Sequence, residues 1–340
     1  MSLVIKGHRN LIIINLFFMA AVFFWIISYA VPVSKDLPAT TEVTRLRNAL
    51  LADVGLPAEV NWNPGSPMKG FLEEVLEPPL EISKAYKLLN ISGSNFEKSI
   101  GIAYHLRQGE KKGGPIMEDT VSAYRRIVQE GEGYCADYTQ VFNALAHAAN
   151  IPVREWGLSF DNFGGRGHAF NEIYDFTLNK WVFIDPFNSF YVRKMDSDIP
   201  LSVLEFREYL LNSETNKIDI IPIVVENFGF RSKGMINKQA ALEYYSRGRN
   251  EFYLWEGNNV FSYDNNSIVK LLTPVSRALE QLAAIVLGVH PGILILKTEH
   301  NHGEIENLIS LRHKIVFALI TELFLFFWFI VILIQWRKRA

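Results

Sequence analysis

A single cysteine, Cys135, occurs in the 340 residues, within the stretch EGEGYCADYTQVFNALAHAAN. A helix is predicted to begin near it, because apolar side chains recur on one side at helical spacing: Tyr138, Phe142, Leu145 and Ala149. A thiol in the first helical turn faces the positive end of the helix dipole and free N–H groups, which favour the thiolate. The same N–H groups can hold a developing oxyanion. A lone cysteine is most often a small buried hydrophobe, but this position predicts a nucleophile.

A thiolate nucleophile needs a base to share its proton, and the base needs an orienting group. His147 lies on the same predicted helix as Cys135, about 18 Å away at a rise of about 1.5 Å per residue, which is beyond hydrogen-bond reach. His168 starts the strand-like run GHAFNEIYDF, and Asp185 ends the apolar run WVFID. A carboxylate at the end of an apolar strand requires a partner. Singly, a buried structural aspartate and a satisfied strand histidine are each the commoner outcome. The ordered set, with Cys135 at a helix start, His168 at a strand start and Asp185 at the end of the next strand, is much less expected by accident and favours a shared site.

Residues 131–186 resemble the transglutaminase-like core of the papain-like thiol enzymes, through GYCADYTQVFNALAHAANIPVR, GHAFNEIY and KWVFIDP. The resemblance implies Cys135 as nucleophile, His168 as general base and acid, and Asp185 as the group that orients the imidazole. It also implies a fold in which a helix presents the cysteine against an antiparallel sheet that presents the histidine and the aspartate.

The surroundings of these three residues leave several roles open. Tyr134, Gln129 and a residue outside the core are all candidates for the second oxyanion donor. Phe170 stands where the resembling proteins commonly have Trp, and it keeps an aromatic ring there. Glu172, four residues after His168, is either structural or shapes the pocket.

Helices are followed by strands without βαβ alternation, which predicts an α+β fold. An amphipathic helix is expected at 269–287, and the apolar run 282–296 is short for a membrane span. The predicted organisation is a cytoplasmic N-terminus (1–10), a transmembrane helix (11–33), a helical flanking region (34–116), the transglutaminase-like core (117–230), a helical region that either packs on the domain or lies near the membrane (231–313), a transmembrane helix (314–336) and a cytoplasmic tail (337–340).

The two predicted transmembrane segments contain almost no charge, with Glu322 the one acidic residue in the second. Each is long enough to cross a hydrocarbon layer of about 30 Å. A cleaved signal peptide is the alternative for the first segment, since Ser28-Tyr29-Ala30 resembles a cleavage site. Its apolar run, however, is longer than that of a usual signal peptide, which favours an uncleaved anchor.

Basic residues predict how the chain is oriented in a plasma (inner) membrane. Lys6 and Arg9 precede the first span, and the basic run 337–339 follows the second. Both termini are therefore expected in the cytoplasm, with residues 34–313 on the other side, in a periplasm-like space if the source is a bacterium.

Composition excludes some functions. A formal net charge of −2 gives no electrostatic case for nucleic-acid binding. One cysteine excludes an internal disulfide and any metal site with several cysteines, and no cofactor or metal is expected. Zinc held by Cys135, His168 and Asp185 is a weaker alternative, because no close-spaced pair of ligands supports it.

The resemblance and the two spans together predict a membrane-anchored thiol enzyme that forms a thioester with an acyl group taken from an amide. Water would then make it a peptidase or amidase, and an amine would make it a crosslinking transglutaminase; the resemblance favours hydrolysis. The expected partners are the membrane, a protein or peptide substrate beside it, and a further membrane protein. The alternative is a non-catalytic binding module in a membrane complex that assembles or exports envelope polymer.

Overall fold

A computed structural model describes residues 2–29, 39–107, 112–116, 118–224 and 237–338. Contacts group the chain into two compact units, Leu51–His302 and a second formed by Met1–Leu50 with Gly303–Ala340. The helices are α1 (Ser2–Ser28), α2 (Ala39–Leu51), α3 (Leu80–Leu89), α4 (Asn95–Arg107), α5 (Thr120–Glu130), α6 (Cys135–Ala148), α7 (Val203–Leu211), α8 (Lys238–Arg247), α9 (Val260–Asp264), α10 (Ser267–Leu272), α11 (Arg277–Val286) and α12 (His302–Arg337). The strands are β1 (Ala52–Gly55), β2 (Val153–Ser159), β3 (Gly167–Asp175), β4 (Lys180–Ile184), β5 (Phe190–Lys194), β6 (Ile218–Pro222), β7 (Phe252–Trp255) and β8 (Ile293–Leu296).

The α+β prediction is confirmed by a six-stranded sheet with helices packed against it. Its strand order is β1-β8-β7-β2-β3-β4, in which β1 and β8 are parallel and the other neighbours antiparallel. Val153 on β2 lies opposite Ile173 on β3, and Asn171 lies opposite Ile184 on β4. Strands β5 and β6 form a separate antiparallel pair. Strand β3 is therefore paired on both sides.

Two apolar cores lie on the two faces of β3 and β4, because successive side chains of a strand point in opposite directions. One core joins Ile173 and Val182 to helices α3–α6, including Phe142 of α6. The other joins Phe170 and Phe183 to residues of α7, α8 and β5. The helix that carries Cys135 is thereby fixed against the sheet that carries His168.

The region 231–313 differs from the helical region expected there. Strands β7 and β8 lie in it and extend the main sheet. The run 282–296 does not form a third span, since its last four residues are strand β8, which is buried along its whole length. The helix expected at 269–287 is divided into α10 and α11, because Pro274, which lies between them, cannot continue a helix.

Two helices are long and apolar enough to cross a membrane, Asn10–Ser28 within α1 and the whole of α12. They indicate that the protein associates with a membrane. The side-chain amide of Asn15 donates a hydrogen bond to the backbone oxygen of Leu325 over 3.2 Å, which joins these two helices. The end of the first predicted span, residues 30–33, lies outside the described residues.

A buried ion pair ties β2 to β3. The Nε and Nη2 atoms of Arg154 donate to Glu172 Oε2 over 2.7 and 2.6 Å, and both side chains are almost fully buried. Trp156 Nε1 donates to the same oxygen over 2.8 Å, and the backbone N–H of Val203 donates to Glu172 Oε1 over 2.7 Å. The Arg154 guanidinium also lies 3.9 Å from the centre of the Trp181 ring. Every part of the Glu172 carboxylate therefore has a partner.

Glu172→Gln is expected to destabilise the protein strongly, because the Arg154 guanidinium would stay buried without its countercharge. Breaking one side of a buried pair costs about 3–5 kcal/mol, which corresponds to a fall in melting temperature of roughly 6–20 °C. The measurement is thermal unfolding of the full chain in detergent. Glu81→Gln is the matched control, since Glu81 forms an exposed pair with Arg125 and its loss should change the melting temperature little. Equal shifts in both variants would contradict this account of the pair.

Candidate active site

The turn before α6 brings the thiol to the first helical residue. Gly131 ends α5 in the left-handed conformation with φ 69°, and Gly133 follows with φ 105°. A Cβ atom at Gly133 would lie 3.1 Å from the Tyr138 ring, so both conformation and space favour glycine in this turn. Cys135 then begins α6, and its side chain is partly exposed.

A buried hydrogen bond joins His168 to Asp185. His168 Nε2 donates to Asp185 Oδ2 over 2.7 Å, and the side chains are 1% and 0% exposed. The β3–β4 hairpin produces this contact: when the register of Asn171 opposite Ile184 is continued, Asp185 lies beside Phe170 and diagonal to His168. His168 and Asp185 are therefore separated in the sequence by one β-hairpin, and this hairpin brings their side chains to the same face of the sheet.

Further donors hold the carboxylate of Asp185. The backbone N–H of Asn188 donates to Oδ1 over 2.9 Å, and Asn188 Nδ2 donates to Oδ2 over 2.8 Å. The Tyr245 hydroxyl donates to Oδ2 over 3.0 Å. Burial, followed by the charge of Asp185, raises the pKa of Tyr245 well above its ordinary value, so this hydroxyl keeps its proton and remains a donor. These contacts replace water around a buried carboxylate and fix its orientation toward the imidazole.

The environment of His168 favours its protonated form. Burial alone would lower the pKa of His168, but the charge and hydrogen bond of Asp185, together with a hydrogen bond to Cys135, raise it to about 10. Nε2 is directed at Asp185, so Nδ1 is the ring nitrogen that remains for another partner. The contact with Asp185 thus favours the imidazolium form of His168 at neutral pH.

Aromatic rings enclose the imidazole of His168. Phe170 stacks on it with ring centres 6.1 Å apart, while Tyr244 and Tyr245 approach edge-on at 5.9 and 5.7 Å. Such rings exclude water, and this strengthens the electrostatic interactions of the site. Phe170 was a sequence candidate, whereas the two tyrosines and Asn188 were missed. The two tyrosines are adjacent in α8, which starts where the Asn237 side chain accepts from the backbone N–H of residue 240, and no pattern in the sequence connected them with His168.

The remaining sequence candidates lie in different settings. Gln129 is in the last turn of α5 with an exposed side chain. Tyr134 immediately precedes α6 and is 52% exposed, and its backbone N–H donates to Asp137 over 2.7 Å; that N–H is therefore already engaged. Glu172 forms the buried ion pair with Arg154. This is a structural role, one of the two roles that the sequence left open for Glu172.

The structure also shows the surroundings of His147 and bears on the alternative of a metal site. His147, set aside on distance, lies 3.1 Å from the backbone oxygen of Leu76 through Nε2, and its ring contacts Phe261. Within the described part of the chain, no group of three or more His, Cys, Asp or Glu side chains is arranged to hold a metal ion.

Comparison with known proteins assigns a class to this region. Residues 92–186 match the family model described as the transglutaminase-like superfamily. The matched segment contains α4, α5, α6 and strands β2–β4, and with them Cys135, His168 and Asp185. The chain thus carries a transglutaminase-like domain, of a superfamily that includes cysteine peptidases and acyltransferases. No curated protein and no solved structure gives a significant match to the sequence.

The protonation state of His168 can be measured by NMR of the full chain labelled with ¹⁵N-histidine. We expect an imidazolium signal that persists at neutral pH and disappears as the pH rises through about 10. In Asp185→Asn this signal should disappear at lower pH, because burial then acts without the countercharge. Loss of the signal in His168→Gln, but not in His147→Gln, assigns it. Titration of His168 near the ordinary value of about 6.5 in the wild type would contradict the expectation.

Proposed function

We propose that the protein is a membrane-anchored cysteine enzyme that cleaves or transfers an amide bond through a thioester at Cys135. One observation carries the proposal: the buried imidazole of His168 is hydrogen-bonded through Nε2 to Asp185 over 2.7 Å, in a domain whose one cysteine in the sequence starts a helix that packs on the same sheet. The raised pKa of His168, to which Cys135 contributes, supports a site in which the imidazolium stabilises the thiolate.

The proposed reaction has two stages: His168 gives up a proton in the first and takes one from water in the second. The Cys135 thiolate attacks the amide carbonyl carbon, and the proton of His168 moves to the departing amine as the C–N bond breaks. A thioester and a neutral imidazole remain. His168 then takes a proton from water, the hydroxide attacks the thioester, and a carboxylic acid leaves as the thiolate is restored. Asp185 stabilises the imidazolium at the start and end of the cycle.

The oxyanion formed during each attack needs hydrogen-bond donors. The first-turn N–H groups of α6 have no intrahelical partners, which makes the start of this helix the proposed source of one donor. Tyr134 would have to contribute through its exposed side chain, since its backbone N–H is bound to Asp137. Gln129 is the other candidate, and its exposed side chain at the end of α5 supports a role only if it turns toward Cys135 when substrate binds.

We further propose that the domain lies outside the cytoplasm, with both termini inside. The distribution of basic residues supports this orientation, since Lys6 and Arg9 precede the first span and residues 337–339 follow the second. Two anchors limit the reach of the domain, so the proposed substrate is a protein or peptide close to the membrane. Hydrolysis is favoured over crosslinking, on the resemblance to proteins with a short core of this type.

The reactivity of Cys135 tests the proposed thiolate. In the wild type, alkylation by iodoacetamide should be fast already at about pH 6, because the imidazolium stabilises the thiolate. His168→Ala should slow this reaction by at least roughly tenfold at about pH 6 and much less at about pH 10, where any thiol ionises. His147→Ala is the matched control on the same helix and should react like the wild type. The same pH profile in wild type and His168→Ala would reject the proposal.

Trapping the intermediate tests the reaction itself. Incubation of the full chain with amide-containing peptides should give a mass adduct on Cys135 that hydroxylamine removes and that Cys135→Ala does not form. Release by water alone supports a hydrolase, and an amine-containing product supports a transferase. A thiol that alkylates as proposed but accepts no acyl group from any peptide would favour the non-catalytic binding module.

A further inference from the structure

The surface of α10 and α11 is unusually apolar. Six aliphatic side chains lie along these helices and the turn between them, and each is 48% to 78% exposed: Ile268, Leu271, Val275, Leu279, Leu282 and Val286. We name this surface the α10–α11 face. Exposed apolar residues that occur singly are normal in soluble domains, but a row of six within twenty residues is a patch of the kind that marks an interaction surface.

Helix α11 turns a carboxylate toward its own domain. Glu280 is fully buried and accepts a hydrogen bond from the Tyr263 hydroxyl over 2.6 Å. Ala284, one turn later, is buried on the same side. A helix on a water-exposed surface normally turns its apolar side inward and its charges outward. Helix α11 instead buries a carboxylate and exposes Leu279, Leu282 and Val286, so its outer side suits an apolar environment outside the domain.

This orientation is fixed by the local structure. The side chain of Asn266 accepts hydrogen bonds from the backbone N–H groups of Ile268 and Val269 over 3.1 and 3.2 Å at the start of α10. The Val269 side chain is fully buried and anchors that helix. At the start of α11, the Ser276 hydroxyl accepts from the backbone N–H of residue 279 over 3.5 Å. The α10–α11 face therefore belongs to a folded element.

We propose that the α10–α11 face lies in the interfacial layer of the bilayer that anchors the chain. Connectivity supports this location. Six residues separate the end of α11 from strand β8, and five residues separate the end of β8 from His302, where α12 begins. Within α12, residues 303–314 precede the apolar stretch and span about 18 Å at about 1.5 Å per residue. The length of the connecting chain thus allows this part of the domain to reach a membrane that α12 crosses.

The chemistry of the face fits lipid better than a protein partner. All six side chains are aliphatic, whereas protein interfaces concentrate their binding energy in Trp, Tyr and Arg. Both helices are too short to cross a bilayer, and Pro274 breaks them, so they lie along its surface. Lys270 is exposed beside the face, and a lysine in this position can reach lipid phosphate while its stem stays among acyl chains.

Fluorescence quenching by lipid tests this location on the full chain in lipid nanodiscs. Val286→Cys, in a Cys135→Ser background, provides one labelling site on the α10–α11 face for the fluorophore NBD. Nitroxide groups on the lipid acyl chains should reduce its fluorescence by about twofold or more. Leu88→Cys is the matched control, because Leu88 is 84% exposed on α3, a helix that is not part of this face, and its label should be little affected.

The outcomes separate lipid from protein. A label at 286 that lipid nitroxides do not quench, or that they quench no more than the label at 88, would overturn the proposal. Shielding of the label at 286 from both lipid nitroxides and a water-soluble quencher would assign the face to protein, also against the proposal. Catalysis is not measured, so the result is independent of whether Cys135 forms a thioester.

Discussion

The buried contact between His168 and Asp185 is the constraint on which the site depends. An imidazolium and a carboxylate can be buried only where each is hydrogen-bonded and paired with an opposite charge. The surrounding elements must therefore supply these partners. The β3–β4 hairpin supplies the pair, the turn after β4 supplies Asn188, and α8 supplies Tyr245. The charge of Asp185 then favours the protonated form of His168, and in the proposed reaction the proton on the other ring nitrogen, Nδ1, is the one that His168 gives up.

Strand β3 carries two buried ionic pairs on one face. The basic residues of these pairs differ in whether they can lose a proton, and this difference explains the roles of the pairs. His168 and Glu172 stand four residues apart, and each is joined to a residue of a neighbouring segment, Asp185 after β4 and Arg154 on β2. A guanidinium keeps its proton at any ordinary pH, so the Arg154 pair can only hold the strands together. An imidazolium can give up its proton and regain it, so the His168 pair can take part in chemistry.

The local part of this arrangement could be predicted from sequence, because short-range patterns encode it. Apolar spacing marked the start of α6 near Cys135, and strand-like runs put His168 at the start of one strand and Asp185 at the end of another. Tyr245 follows Asp185 by 60 residues and reaches it only after α7, β6 and α8 have packed, which no periodicity reveals. Strands β7 and β8 were missed because four-residue apolar runs do not distinguish a buried strand from part of a helix.

The central claim is that Cys135 is held as a thiolate by the neighbouring imidazolium. Cys135 is the one cysteine in the chain, so the ultraviolet absorbance of thiolate, measured on the full protein against Cys135→Ala, reports this side chain alone. The account predicts that this absorbance is already present at about pH 7, because His168 carries the charge that pairs with the thiolate. Absorbance that develops only near about pH 8.5, as for an ordinary thiol, would contradict it.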